Sequence, residues 1–194
     1  MNLMSYSEGT ESPLVLPFAH PLDEFYAHAG LNLPPIDAIP AEEMPQPHQQ
    51  LLVHDGDMTP TLEKFHRSTI HLDVLRREQR GDFYFREVAL VTDARREKVE
   101  FGAIKIYLAL LPRSARNEIL AETVPLGTIL AKHKVAHTSR PKAFLRVRSD
   151  DFINGVFALR GMHTLYGRRN TLSNPEGHSL AEIVEILPPA KSPN

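Results

Sequence analysis

The chain contains no cysteine. That excludes a disulfide framework, a thiolate zinc site and a cysteine nucleophile together, and leaves any chemistry to carboxylates, Arg, Lys or His. Neither sign of charge is in excess: 22 Lys and Arg stand against 24 Asp and Glu, a formal net charge of −2. Such a chain has no electrostatic footprint for nucleic acid or for an anionic membrane surface, so any positive charge that matters must be local. Long apolar runs are also missing. No window approaches the roughly 18 apolar residues needed to span a bilayer, and residues 1–8 lack a basic stretch followed by an apolar one. The expectation is a soluble cytoplasmic protein with neither nucleic acid nor membrane as partner. There is no phosphate loop, dinucleotide fingerprint or redox motif, and Ser68, Ser114 and Ser139 have no nucleophile-elbow context, so no cofactor is expected.

What is present is enough apolar material, 42% of 194 residues, for one good-sized core and therefore one principal site. Eight of the sixteen prolines (13, 17, 21, 34, 35, 40, 45 and 47) fall within residues 1–48. Proline removes a donor and fixes φ, so this segment cannot sustain long helices or central strands. It reads as an arm that wraps the domain, with one short helix over residues 21–28 and a disordered tip. The domain proper is expected over residues 49–190, with residues 191–194 a frayed tail.

Within the domain, Thr59 is placed to cap a helix whose first residue is Pro60. Residues 69–76 alternate and are rich in β-branched side chains, as a half-buried strand would be, and residues 84–92 read as its neighbour. A third strand is expected over residues 99–111, ending at Pro112. Residues 114–120 read as helix. The turn Pro125-Leu126-Gly127 then leads into a helix over residues 128–134, which places Leu126 and Gly127 at its N-terminal end. Residues 142–147, 165–172 and 180–187 are further strands, the last two joined by the turn Asn174-Pro175-Glu176-Gly177. Antiparallel strands with interspersed helices give an α+β fold.

Strand alternation sets which side chains share a face. Tyr84, Arg86 and Val88 share one, while Phe83, Phe85 and Glu87 share the other. A buried guanidinium needs an anion, from a protein carboxylate or from a ligand, and its planar fork suits a carboxylate in bidentate geometry. Arg168 and Arg169 point to opposite faces, so at most one can share a pocket with Arg86. Glu185 lies in the apolar run Ile183-Val184-Glu185-Ile186-Leu187, a context that raises a carboxyl pKa unless a cation sits beside it. His133 and His137 have the i, i+4 spacing of helical zinc ligands, but no intervening Glu or third ligand accompanies them, and no metal is expected. Lys142, Arg146 and Arg148 share one parity and read as the solvated face of a strand.

These segments have the order of signals found in chorismate pyruvate-lyases, the 4-hydroxybenzoate-forming enzymes: Met58-Thr59, Arg86-Glu87, Pro125-Leu126-Gly127, Gly167-Arg168-Arg169 and Val184-Glu185. The chain resembles that family over residues 51–189. The resemblance implies a single antiparallel sheet of about six strands, helices packed on one side, and a small occluded cavity roofed by helix-turn-helix flaps. It implies that Arg86 binds a substrate carboxylate and that Glu185 engages the ring hydroxyl or moves a proton. Met58 and Leu126 would line the pocket and offer backbone N–H contacts, with Thr59, Phe85, Lys105, Gly127 and Arg168 completing the substrate-binding set.

The activity implied is elimination of pyruvate from chorismate, a carbon–oxygen lyase reaction that leaves 4-hydroxybenzoate or an isomer for quinone, pigment or lipid biosynthesis and needs no cofactor. The chain departs from the pattern at two places. Where the lyases have a second strand arginine, four residues before the proline that ends the strand, this chain has Leu108; Lys105 supplies that charge only if a bulge shifts the register. Val184 stands where the family has threonine. A more divergent branch also lacks the arginine, and its Gly-to-Glu spacing matches Gly177 to Glu185. The alternative is a non-catalytic domain of the same fold that binds a small aromatic acid as effector or sensor. In regulators this fold accompanies a winged-helix DNA-binding domain, for which the Pro-rich arm is too short.

Overall fold

Seven stretches of alternating side chains pair into one antiparallel sheet in a computed structural model that describes residues 18–190. The arm's expected disordered tip and the tail over 191–194 lie outside the described residues. In chain order the elements are α1 (Leu22–His28), β1 (Ile36–Ile39), α2 (His48–Leu52), α3 (Met58–His66), β2 (Ile70–Arg80), β3 (Phe83–Thr92), β4 (Lys98–Tyr107), α4 (Arg113–Ala121), α5 (Leu126–Lys132), β5 (Thr138–Arg148), α6 (Asp151–Phe157), β6 (Thr164–Ser173) and β7 (Ser179–Leu187). The strands lie in the order β1-β5-β6-β7-β4-β3-β2. This is the expected α+β architecture with a chorismate lyase-like fold, with seven strands instead of about six.

The additional strand comes from the Pro-rich arm. Residues 36–39 stand between Pro35 and Pro40, too short for a helix but free to extend, and β1 pairs along β5 from Ile36 opposite Val147 to Ile39 opposite Phe144. Proline is tolerated at such a place because a sheet edge leaves one row of backbone donors unused. The expected helix over residues 21–28 is α1.

Three further differences have local causes. Helix α3 starts at Met58 with Asp57 before it, two residues earlier than the Thr59-Pro60 pair suggests. Pro60 is then its third residue, where a missing N–H still costs no intrahelical bond. The third strand stops at Tyr107 and gives way to a 3₁₀ turn, Leu108–Leu110. Helix α6 carries a clear cap, with Asp150 accepting from the Ile153 N–H at 2.8 Å, but it is only seven residues long and ends at Ala158 with φ 55°.

Helices α2 to α5 cover one side of the sheet. Leu52, Met58 and Leu62 pack with Val88 and Leu90, and Ala115, Ile119, Ile129 and Leu130 pack with Ile104, Ile106 and Ile183. The opposite side chains, Phe85, Ala89, Phe101, Ala103, Val184 and Ile186, pack against the short helices α1 and α6. No helix among the described residues is long and apolar enough to cross a membrane.

Candidate functional site

Between the sheet and helices α3 and α5 lies a cavity of about 60 Å³, lined by Arg86 and Val88 of β3, Glu100 and Gly102 of β4, Glu185 of β7, Met58 and Thr59 of α3, and Leu126 and Gly127 of α5. All the strand contributors lie on the face of Tyr84 and Ile104, Glu185 by its pairing with Gly102, so the sheet presents them together. Gly102 leaves the floor open: a Cβ there would stand 3.2 Å from the Glu100 carboxylate and 3.4 Å from Val88. The α3 and α5 N-termini meet over the cavity, where a Cβ on Gly127 would lie 3.5 Å from Thr59 Oγ1.

At one end sits Arg86, 1% exposed. Its Nη1 is 3.5 Å from the Ile119 carbonyl of α4, a marginal hydrogen bond, and its Nε has no partner. Nearby Glu122 is engaged elsewhere, accepting from the Tyr84 hydroxyl and from Arg77. Burial pulls the Arg86 guanidinium down to about 10, and Tyr84 and Glu122 oppose this only in part. It is therefore still a cation at neutral pH, and it forms no ion pair among the described residues.

At the other end two carboxyl groups and one guanidinium share a buried cluster. Arg168 Nε donates to Glu185 Oε2 at 2.5 Å. The rest of its fork reaches across to the segment between α2 and α3, with Nη1 donating to the His54 carbonyl at 2.9 Å and Nη2 to the Gly56 carbonyl at 3.0 Å. Burial, with the Arg168 charge beside it, lowers the His54 imidazole pKa. Glu100 gets no such cation: it is 4% exposed and its Oε2 has no hydrogen-bond partner. Burial first, and the Glu185 charge second, hold its carboxyl well above the usual carboxylate range, with Arg168 opposing. Its protonated form, which can donate a hydrogen bond, is favoured accordingly.

Of the residues expected from the sequence, Arg86, Glu185, Met58, Thr59, Leu126 and Gly127 converge on this cavity. Phe85 and Lys105 do not. The β3–β4 register runs unbroken through Phe85 opposite Lys105, so no bulge turns Lys105 inward, and its ammonium lies 4.5 Å from the Phe83 ring on the far face. Arg168 is on the cavity side but is absent from the lining, because its whole fork is engaged by Glu185 and the 54–56 segment. Leu108 is buried in the apolar cluster under α4 and α5. His133 and His137 separate: one contacts Glu118 at 2.7 Å, the other Asp57 at 3.0 Å. Among the described residues no three potential metal ligands cluster.

Glu100 was missed, as were Asp57 and Asn170, which also line the cavity. The parity of β4 puts Glu100 on the face of Gly102 and Ile104, so the signal was there, but an acidic residue near a strand end reads as solvated.

No protein-family model and no curated protein matches the sequence. Among solved structures the chain is similar to PhnF from Mycobacterium smegmatis, at 10% identity with a TM-score of 0.53, over 70% of this chain and 64% of that one. It spans less than two thirds of that PhnF chain. It is similar to the effector domain of the same PhnF at 10% identity and TM-score 0.53, covering 68% of this chain and 88% of that one. A weaker likeness, TM-score 0.47 at 11% identity over 64% and 92% of the two chains, is to the ligand-binding domain of a protein described as a GntR-family transcriptional regulator from Bordetella bronchiseptica. At these identities the likeness concerns the fold.

The chorismate lyase expectation is corrected here. The fold is shared with an effector domain and no chorismate lyase is among the similar structures named, and the second arginine expected of the lyases is replaced by a buried Leu108 with Lys105 on the far face, so these findings do not carry pyruvate elimination.

Proposed function

We propose that this domain binds a small aromatic carboxylic acid as an effector, without turning it over. The observation that carries the reading is Arg86: a guanidinium taken out of water, facing a cavity, with a marginal carbonyl contact and, among the described residues, no carboxylate in ion-pair contact. Isolated buried charge costs several kcal/mol, so a fold that keeps it is explained by an anion that arrives with the ligand. Arg is suited to a carboxylate because two parallel N–H donors match its two oxygens. The walls are apolar, from Leu72, Val88, Leu90, Ile104, Leu126 and Ile183, as a ring requires.

The cavity is small, about 60 Å³, which confines the ligand to a small molecule. Isothermal titration calorimetry with 4-hydroxybenzoate tests the reading: saturable binding, weakened ~10- to 100-fold in Arg86→Met, supports it, and an affinity unchanged in that variant would overturn it.

A further inference from the structure

We propose that a groove at the far end of helix α3 is a docking site for an extended peptide segment that carries acidic side chains among apolar ones. Helix α3 reaches two separate spaces, the Arg86 cavity with Met58 and Thr59 at its start and this groove with Leu62 and Phe65 toward its end. The proposal stands independently of what the cavity binds.

The groove follows from the way the sheet ends. Strand β7 stops at Leu187 and runs into Pro188 and Pro189, neither of which has an N–H for a ladder. The β4–β7 register accordingly starts at Phe101 opposite Ile186, although β4 itself reaches back to Lys98. Before Phe101 no strand among the described residues pairs with β4 on that side. Helix α6 ends at Phe157, with Ala158 in the left-handed region. Between these ends and helices α2 and α3 lies a groove of about 770 Å³, against about 60 Å³ for the cavity at Arg86. Leu51, Leu62, Val99, Val156 and Leu187 form an apolar floor, and Phe65 stands at the rim, 45% exposed. A large aromatic left half in water beside an apolar groove has the make-up of an interface anchor.

Charge identifies the partner. The chain as a whole has a formal net charge of −2, yet the groove is lined by Arg95, Arg96 and Lys98 against Glu97 alone. Lys64 and Arg67 border Phe65 on its other side. Arg96 is turned to His71, with its Nη1 3.0 Å from Nε2, while Arg95 and Lys98 form no ion pair among the described residues. Carboxylates on the partner would meet these cations while its apolar side chains fill the floor. An extended segment fits better than a helix, because it can add to the unpaired stretch of β4 as a further strand. A nucleic acid strand would use the cations and the Phe65 ring but leave the apolar floor unfilled.

The test pans random peptides displayed on phage against the full chain. The enriched peptides are then synthesised with a fluorescent tag and titrated by anisotropy against the unmodified protein, Phe65→Ser, the double variant Arg95→Glu/Lys98→Glu, and Arg86→Met, with thermal unfolding to show that each variant is folded. Enriched sequences should combine Asp or Glu with apolar residues and lose affinity as salt is raised. They should bind ~10-fold or more weakly to Phe65→Ser and to the charge reversal, and bind Arg86→Met as they bind the unmodified protein. Failure to enrich acidic, apolar peptides, or affinities that neither groove variant changes, overturns the proposal. So does single-stranded DNA that binds more tightly than any enriched peptide. Dimerisation of the chain that Phe65→Ser abolishes would make the occupant a second copy, and overturns it as well.

Discussion

Arg168 and Glu185 face each other across the β6–β7 pairing and form a buried ion pair, Nε to Oε2 at 2.5 Å, with side chains 0% and 6% exposed. The pair does more than neutralise two charges. Through its other two nitrogens Arg168 fixes the His54 and Gly56 carbonyls, and so holds the segment that leads into α3 over the cavity.

Removing one partner alone should therefore be costly. Arg168→Met leaves Glu185 uncompensated beside Glu100 and frees the 54–56 segment, with an expected loss of ~3–5 kcal/mol in urea unfolding. The double variant Arg168→Met/Glu185→Leu should recover at least half of that loss. An Arg168→Met protein that unfolds at the unmodified midpoint would contradict this account.

Arg86 should behave in the opposite way. It has no carboxylate partner among the described residues, so Arg86→Met replaces a desolvated charge with an apolar chain of similar length. The ligand-free protein should keep its stability or gain up to ~2 kcal/mol while losing carboxylate binding. Denaturation and calorimetry on the same preparation would show the trade between stability and function.

On the far face of the sheet Glu87 is fully buried, its two oxygens lack hydrogen-bond partners, and Arg76 Nε lies 3.4 Å away. Burial pushes its carboxyl up from 4.5 to about 7, with Arg76 opposing and Asp150 adding to the rise. The folded state thus holds this proton more tightly than the unfolded chain. Its contribution to stability is complete below pH 4.5 and is lost as pH rises through about 7. Glu87→Gln should remove that decline, seen as a flatter dependence of the urea midpoint between pH 4.5 and 8 than in the unmodified protein.

Two strand glycines should respond differently to a methyl group. A Cβ at Gly167 would stand 2.3 Å from the Glu185 backbone carbonyl, which cannot move without breaking the β6–β7 pairing, so Gly167→Ala should cost more than ~2 kcal/mol. At Gly102 the nearest atom is the end of the Glu100 side chain, 3.2 Å away. Gly102→Ala should fold with a loss of ~1 kcal/mol and bind the ligand more weakly. Thermal unfolding ranks the pair, and equal stability of the two variants would refute the steric argument.

The sequence by itself determined six of the seven strands, their faces and four of the six α-helices, because period-two alternation is a local property. It put Arg86 with Tyr84 and Val88, Glu185 with Ile183, and Arg168 opposite in sense to Arg169, and each of these pairs lies as the alternation requires. It also placed Met58, Thr59, Leu126 and Gly127 where two helices begin. What alternation cannot say is which strands become neighbours. Only the order β6-β7-β4-β3 brings Arg168 against Glu185, puts Glu100 beside that pair, and leaves Arg86 without an ion-pair partner among the described residues. The same order keeps Lys105 on the far face and draws a strand from the proline-rich arm to the edge at β5. Whether a buried charge is paired inside the protein or waits for a ligand depends on contacts between residues far apart in the chain, and that decision was made by tertiary packing.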